Sequence, residues 1–203
     1  MLKIKAILVG ESQTGKTCLL NKLISNIFIE NPGSTNVAEN LEKDFTVNDK
    51  TVTLDIWDTA GQEKFRSLNK IFFKDAEIAF LVYDITKKKT FEEIKNFWVD
   101  QVRTFSGENT LFVLVGNKAD LYTKEEVNEN TGQEFANEIN AVFGQTSAKH
   151  GTGITDLFQT AIEKRITTNP NLNDKVFGVK LETKPNKEQK ECCGGKKGKN
   201  TDK

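Results

Sequence analysis

The chain has 203 residues with 29 basic and 29 acidic side chains, so its formal net charge is zero when the single histidine is neutral. This length suits one α/β domain with a sizeable core and excludes two ordinary enzyme domains. A balanced charge removes the net basic excess that nucleic-acid-binding proteins normally carry, so we expect no nucleic-acid partner.

Cysteine usage and the amino terminus both favour a cytoplasmic protein. Cys18 is isolated while Cys192 and Cys193 are adjacent, so they cannot build a disulfide framework and a reducing compartment is expected. The apolar run after Met1 is too brief for a signal peptide, and Leu2 stands where myristoylation needs glycine. No apolar run approaches the roughly 18 residues that a membrane-spanning helix requires.

Short β-rich runs alternate with helical stretches along most of the chain. The predicted strands are residues 3–9, 41–47, 51–57, 78–84, 111–117 and 141–146, and the predicted helices are residues 16–25, 65–74, 90–105, 133–140 and 154–167. Such alternation predicts a parallel α/β sheet with helices on both faces. Asn48-Asp49 between two β-like runs predicts a hairpin. We therefore expect a six-stranded mixed sheet with one antiparallel edge strand. Thr131 and Glu134 have the spacing of a capping box, which predicts a helix start there.

The periodic pattern ends near residue 168. Residues 168–203 contain seven hydrophobic residues in 36, which is too few for independent folding. The seven are Leu172, Val176, Phe177, Val179, Leu181, Cys192 and Cys193. Residues 180–203 also carry eight lysines against four acids. These features divide the chain into a globular domain over residues 1–167 and a flexible basic tail over residues 168–203.

The segment Gly10–Thr17 matches the pattern G-x-x-x-x-G-K-[ST] between a predicted strand and a predicted helix. Its glycines allow backbone N–H groups to converge on phosphate oxygens, and the helix N-terminus adds a favourable dipole. Lys16 is placed to neutralise the β- and γ-phosphates, and Thr17 is placed to ligate Mg²⁺. The alternative, a plain glycine-containing turn, is disfavoured by this context.

A second polar segment, residues 58–63, follows the third predicted strand. Asp58 stands where a carboxylate that reaches Mg²⁺ through water belongs. Gly61 can offer its N–H to a γ-phosphate, and Gln62 can orient a water molecule. Taken alone, this segment is equally compatible with an ordinary strand-to-turn sequence.

Two further segments predict recognition of guanine. Asp120, in Asn117-Lys118-Ala119-Asp120, can accept two parallel hydrogen bonds from the N1–H and N2–H₂ edge of guanine, which adenine cannot supply. Lys118 can lie along the base plane, and Asn117 can tie this loop to the phosphate loop. In the segment 146–149, the N–H of Ala148 is placed to meet the guanine carbonyl oxygen. A polar turn is the alternative for the first segment, and would be favoured if the phosphate loop were absent.

These motifs, in this order and spacing, resemble the Ras superfamily of small GTPases over residues 3–167, about four fifths of the chain. Residues 57–68, 72–76 and 83–86 are most similar to its Rab branch. The resemblance implies a P-loop GTPase fold (G domain), GTP and GDP as substrate and product, and Mg²⁺ as cofactor. It also implies that Phe28 packs on the guanine and that Thr35 closes on Mg²⁺ and the γ-phosphate. The implied nucleotide site comprises Ser12, Gln13, Thr14, Gly15, Lys16, Thr17, Cys18, Phe28, Thr35, Gly61, Asn117, Lys118, Asp120, Ser147, Ala148 and Lys149, with Gln62, Lys16 and Thr35 as catalytic residues and Thr17, Thr35 and Asp58 at the metal.

The sequence departs from the Rab pattern in two places. Gln13 stands in the phosphate loop where the family has a small residue, and a bulkier side chain there is expected to alter hydrolysis. The aromatic that follows Thr35 in Rab proteins is missing. The effector-facing triad of the branch therefore falls on Asn40, Trp57 and Phe72, with its first aromatic lost.

The arginine content predicts slow intrinsic hydrolysis. The three arginines of the chain are at positions 66, 103 and 165. None lies in the first switch segment, the segment that contains Thr35, where it could act as an arginine finger in cis. We expect an activating partner to supply that charge in trans.

Cys192 and Cys193 stand beside basic residues of the tail and are candidate lipidation sites. Ten residues follow Cys193, so the C-a-a-X rule is not met and prenylation would need prior trimming or a tolerant transferase. Palmitoylation of the pair is one alternative, and an unmodified tail is another. The positive charge of the tail makes an anionic membrane surface a candidate partner.

Our interpretation is a Rab-like molecular switch that hydrolyses GTP to GDP and acts in vesicle or membrane traffic. It is expected to be a monomer that meets an exchange factor, a GTPase-activating protein and effectors through its switch segments. We expect a cytoplasmic location, with a peripheral position on the cytosolic face of an endomembrane. Two alternatives remain, a GTP-binding scaffold with little hydrolysis and a Ras-superfamily signalling switch outside the Rab branch. A P-loop ATPase is disfavoured by Asp120.

Overall fold

Six strands build one sheet in the computed structural model of the protein, which describes residues 2–30, 33, 38–59 and 71–177. They are β1 (Leu2–Val9), β2 (Glu39–Val47), β3 (Lys50–Asp58), β4 (Ile78–Asp84), β5 (Leu111–Asn117) and β6 (Val142–Thr146). Their order across the sheet is β2-β3-β1-β4-β5-β6. The edge strand β2 pairs antiparallel with β3, and the remaining pairs are parallel. The predicted mixed sheet with one antiparallel edge strand is confirmed.

Helices lie between the strands and after the last of them. They are α1 (Lys16–Ser25), α2 (Lys88–Glu93), a π-helical segment (Ile94–Trp98), α3 (Val99–Ser106), a short 3₁₀ segment (Ala119–Lys124), α4 (Glu129–Glu138), α5 (Ile154–Thr168) and α6 (Pro170–Phe177). The π-helical segment joins α2 to α3, so the helix predicted over residues 90–105 is widened in its middle. Most of the helix predicted over residues 65–74 lies outside the described residues; of those described, residues 71–73 are helical.

Hydrophobic side chains pack on both faces of the sheet. On one face the rings of Phe80 and Phe158 stack with centroids 4.0 Å apart, where α1, α5 and α6 cover the sheet. On the other face Leu81 lies in a cluster with Trp98. Every residue of β4 and β5 is buried, as expected for central parallel strands covered on both faces. The carboxyl ends of the five parallel strands meet at one edge of the sheet, and the loops that follow them are brought together there.

The hairpin predicted at Asn48-Asp49 is confirmed. Both residues adopt left-handed backbone angles, with φ of 49° and 59°, and Val47 pairs with Lys50 across the turn. A two-residue turn with positive φ at both positions matches the right-handed twist of the strands that it joins.

The predicted start of α4 is wrong. Asn128 caps this helix by accepting a hydrogen bond from the backbone N of Thr131 at 2.8 Å, and the helix begins at Glu129. Thr131 is therefore inside the first turn rather than in front of it. An Asn oxygen caps a helix at least as well as a Thr hydroxyl does, so Asn128 was an equally good candidate for this position.

Helix α6 was not predicted from the sequence, and it lies in the segment predicted to be a flexible tail. Leu172 and Val176 are four residues apart on this helix, and both are buried in the core cluster of α1 and α5. The side-chain amide of Asn48 donates a hydrogen bond to the carbonyl oxygen of Val176 at 3.3 Å. Residues 170–177 thus pack as part of the folded body, while residues 178–203 lie outside the described residues.

The hydroxyl of Tyr83 is buried at a tight point between β4, β5 and α4. The residue is 0% exposed, and its hydroxyl has no hydrogen-bond partner within the described residues. A Cβ atom added at Gly116 or Gly132 would lie 2.8 or 2.7 Å from this oxygen. Burial raises the pKa of Tyr83 above its ordinary value. The surroundings therefore bury the aromatic ring of Tyr83, while its hydroxyl has lost contact with water and gained no hydrogen bond among the described residues.

We expect Tyr83→Phe to raise the free energy of unfolding by about 1 kcal/mol, because a buried hydroxyl without a partner costs free energy. Denaturant unfolding of the two proteins measures the difference. Gly132→Ala serves as the opposite control, because its added methyl would meet the Phe143 ring at 2.6 Å and should destabilise by about 1–3 kcal/mol. A loss of stability in Tyr83→Phe would contradict this account of the hydroxyl.

Candidate nucleotide-binding site

The phosphate loop, residues 10–15, runs from the end of β1 to the start of α1, and two of its glycines are required by close contacts. Gly10 has a φ of 144°, and a Cβ there would lie 2.1 Å from the carbonyl oxygen of Val82. Gly15 has a φ of 94°, and a Cβ there would lie 2.4 Å from the side-chain nitrogen of Asn117. The loop therefore contacts β4 and β5 so closely at positions 10 and 15 that only glycine fits there.

Lys16 is buried at the first position of α1. The residue is 5% exposed, and its ammonium donates hydrogen bonds to the carbonyl oxygens of Gly10 and Glu11, both at 2.9 Å. Burial lowers the pKa of Lys16 to about 8, against the attraction of Asp58 and Glu11. A polyphosphate on this loop would stabilise the charged ammonium and raise its pKa again.

Thr17 and Asp58 bring a hydroxyl and a carboxylate together beside the phosphate loop. The Thr17 hydroxyl donates a hydrogen bond to Oδ2 of Asp58 at 2.5 Å. Asp58 is 1% exposed, and its other oxygen, Oδ1, has no hydrogen-bond partner within the described ranges. Burial raises the pKa of this carboxyl. A buried carboxylate oxygen without a partner next to a hydroxyl is a donor set that fits Mg²⁺, which binds oxygen and keeps several waters.

Asn117 and Lys118 join the end of β5 to the phosphate loop. The side-chain amide of Asn117 donates to the carbonyl oxygen of Thr14 at 2.8 Å. The Lys118 ammonium donates to the carbonyl oxygen of Gln13 at 2.8 Å and lies 2.7 Å from Oδ2 of Asp84. Two adjacent residues of one loop thus fix two adjacent carbonyl groups of the other.

Asp120 is held in place from the loop after β6. The Ser147 hydroxyl donates to Oδ1 of Asp120 at 2.6 Å and accepts from the backbone N of His150 at 3.1 Å. Ala148, next to Ser147, is buried, and Lys149 is exposed. One carboxylate oxygen is thereby oriented by the protein.

Other predicted residues stand near this loop system or outside the described residues. Phe28 is half-buried and packs against the core cluster under α1. The Cys18 thiol donates to the carbonyl oxygen of Ile29 at 3.6 Å. Within the phosphate loop Ser12 is half-buried and Gln13 is exposed. Thr35, Gly61, Gln62, Cys192 and Cys193 lie outside the described residues.

Asp84 also belongs to this loop system, which was not predicted from the sequence. This residue ends β4, is 1% exposed and forms the ion pair with Lys118. A carboxylate at the end of a strand as apolar as residues 78–83 was the available signal, because buried carboxylates require a partner.

The three residues of the expected effector triad are brought together at the β2–β3 edge. The rings of Trp57 and Phe72 stack with centroids 5.2 Å apart. Asn40 pairs with Trp57 across the antiparallel ladder. The polar Asn40 therefore stands where an aromatic would extend this surface.

Comparisons with known proteins decide the family. The family model of the Ras family matches residues 5–167. The chain belongs to the Ras family of small GTPases. It is 39% identical to the Ras-related protein Rab-2B of Dictyostelium discoideum over 171 residues, which cover 83% of this chain and 84% of the relative.

Two further relatives point to the same branch. The chain is 35% identical to the human Ras-related protein Rab-22A over 192 residues, 94% of this chain and 98% of the relative. It is 38% identical to the Ras-related protein Rab-1A of Dictyostelium discoideum over 166 residues, 80% of this chain and 82% of the relative. The chain is a Rab-like small GTPase, which binds GTP and GDP, hydrolyses GTP and acts in membrane traffic.

The lowered pKa of Lys16 predicts that GDP affinity falls as the pH rises. With a pKa of about 8 in the unligated protein, Lys16 is charged at pH 7 and mostly neutral at pH 9. At pH 9 its amine must therefore take up a proton before it can pair with a phosphate. We expect the dissociation constant to rise about tenfold between pH 7 and pH 9. Equilibrium competition binding at each pH measures it.

Lys16→Met is the matched control, because it removes the titrating group and leaves titration of the guanine base unchanged. Its affinity should be weaker at both pH values and should lack the tenfold change. An equal pH dependence in the two proteins would show that another group is responsible.

Proposed function

We propose that this Rab-like GTPase binds its nucleotide at the edge formed by the phosphate loop, residues 117–120 and residues 146–149, and that Asp120 selects guanine. The observation that carries the proposal is the pair of contacts from Asn117 and Lys118 to the carbonyl oxygens of Thr14 and Gln13. They make the base loop and the phosphate loop a single unit, so the distance between base and phosphates is set before binding. Ser147 orients Asp120 for the guanine edge.

The metal would be held by Thr17 and Thr35 directly and by Asp58 through water. When bound, Mg²⁺ neutralises charge on the β- and γ-phosphates. Within the part of the chain that the structure describes, no three or more His, Cys, Asp or Glu side chains gather to hold a metal ion. The ion would then take most of its remaining ligands from phosphate and water, which is the usual mode for Mg²⁺.

For hydrolysis we assign Gln62 to orient the attacking water, and Lys16 to stabilise negative charge on the phosphates. Departure of the γ-phosphate would release Thr35 and Gly61, and both switch segments would change conformation. Two of the three arginines lie at the amino-terminal ends of β4 and β5, which are opposite the phosphate loop. Arg165 contacts Glu77, and Arg103 lies over the Phe112 ring. Intrinsic hydrolysis should therefore be slow and should depend on an activating partner.

The proposed partners are those of a membrane-associated switch. An exchange factor, an activating protein and effectors would bind the switch segments and the surface of Asn40, Trp57 and Phe72. The basic tail with Cys192 and Cys193 would meet an anionic membrane surface, placing a monomer peripherally on the cytosolic face of an endomembrane. In the described ranges no helix is both long and apolar enough to cross a bilayer.

Asp120→Asn tests the selection of guanine. An amide cannot accept from both N1–H and N2–H₂, so we expect GDP affinity to fall about a hundredfold, as the loss of hydrogen bonds to a charged group implies. Xanthosine diphosphate, whose 2-carbonyl can accept from the new amide, should bind the variant better than the wild type. Competition binding with both nucleotides measures this, and an unchanged preference for GDP would refute the assignment.

Gln62→Leu tests the hydrolytic role. Leucine cannot orient water, so we expect single-turnover hydrolysis of bound GTP to slow by about tenfold or more while GDP affinity stays the same. Equal hydrolysis rates in variant and wild type would favour a nucleotide-binding scaffold over a switch that uses this glutamine.

A further inference from the structure

Gln13 occupies the phosphate loop in a backbone conformation that suits glycine. Its φ of 66° lies in the left-handed region, where a side chain crowds the following carbonyl oxygen. The side chain is exposed rather than packed in the core. Glutamine is therefore less favourable than glycine for the backbone at this position. Any advantage of glutamine over glycine must come from a contact of its side chain.

A closed ring of contacts passes through Gln13. Its side-chain oxygen Oε1 accepts from the Lys87 ammonium at 3.4 Å, and its carbonyl oxygen accepts from the Lys118 ammonium at 2.8 Å. Lys118 lies 2.7 Å from Oδ2 of Asp84. The turn after β4 closes the ring, because the backbone N of Lys87 donates to the carbonyl oxygen of Asp84 at 3.0 Å.

This ring joins three loops at the nucleotide edge of the sheet. Gln13 belongs to the phosphate loop, Lys118 follows β5, and Asp84 and Lys87 belong to the turn that follows β4. Glycine at position 13 would keep the carbonyl contact with Lys118 and would lose the contact with Lys87. The side chain of Gln13 is therefore the part of the ring that links the phosphate loop to the turn after β4.

We propose that Gln13 is a positioning residue that holds the Lys87 ammonium at the phosphate loop and thereby slows release of the bound guanine nucleotide. The proposal rests on the proposed function, because it requires the nucleotide phosphates to lie on residues 10–17. A cation fixed near a polyanion attracts it, and a contact between two loops resists their separation. Since both side chains are exposed and screened by solvent, the effect is modest.

The experiment measures dissociation of tritiated GDP from the full-length protein in the presence of Mg²⁺ and excess unlabelled GDP. Gln13→Met keeps the length of the side chain and removes its oxygen, and Lys87→Met removes the ammonium. We expect each to dissociate two- to fivefold faster than the wild type. The double variant should dissociate no faster than either single variant, because both substitutions break the same contact.

Two matched variants and one further measurement separate this role from general effects. Lys89→Met removes an equal charge from the same exposed turn and should leave dissociation unchanged, whereas Lys87→Arg keeps a donor and should restore the slow rate. In thermal unfolding at saturating GDP, Gln13→Met should lose no more stability than its two- to fivefold weaker binding accounts for, which is about 0.4–1 kcal/mol. A larger loss of stability would indicate a structural role and overturn the proposal.

Other outcomes would also overturn it. Unchanged dissociation in Gln13→Met, independent effects in the double variant, or equal acceleration by Lys87→Met and Lys89→Met would each show that the contact does not control release. Failure of the wild type to bind GDP would instead refute the proposed nucleotide site, so the two failures are distinguishable.

Discussion

The side chain of Asn117 crosses from the end of β5 to the phosphate loop, and the geometry of the site depends on this contact. Its amide donates to the carbonyl oxygen of Thr14 and its oxygen accepts from the Thr146 hydroxyl at 3.2 Å. The approach is possible because Gly15 has no side chain in its path. One buried amide thus sets the positions of the loops after β1, β5 and β6 relative to one another.

The charges of Lys16 and Asp58, beside the phosphate loop, stabilise one another only in part. Burial shifts the pKa of Lys16 downward and that of Asp58 upward, so each group is biased toward its neutral form. A phosphate chain with a divalent cation would supply the opposite charge to each of them. Nucleotide binding should therefore stabilise the fold as well as occupy the site, because a ligand that binds only the folded protein shifts the folding equilibrium.

Much of the fold could be predicted from local patterns. The limits of β4, β5 and α1 were predicted correctly, since apolar strand runs and a phosphate-loop signature are read within one segment. The hairpin at Asn48-Asp49 is equally local. In contrast, α6 is stabilised by burial of Leu172 and Val176 against residues far away in the chain, and its own composition resembles that of a tail.

The site shows the same division between local and distant information. The residues that we assign to phosphate, metal and base followed from motifs. The ion pair of Lys118 with Asp84 and the ring through Gln13 join segments that are far apart in sequence. Their closeness follows from the order β1-β4-β5 in the sheet, which places these loops side by side. The sequence predicts that order only through the fold class.

Helix α6 also determines how far the tail can reach. A chain that left the body at Thr168 would reach Cys192 in 24 residue-to-residue steps, a span of at most about 80 Å. Because the body continues to Phe177, 15 steps remain, and the maximum span falls to about 50 Å. The helix thus shortens the greatest possible distance between the body and Cys192 by more than a third. It also places the end of the described body beside the β2–β3 turn, at the end of the sheet opposite the proposed nucleotide site.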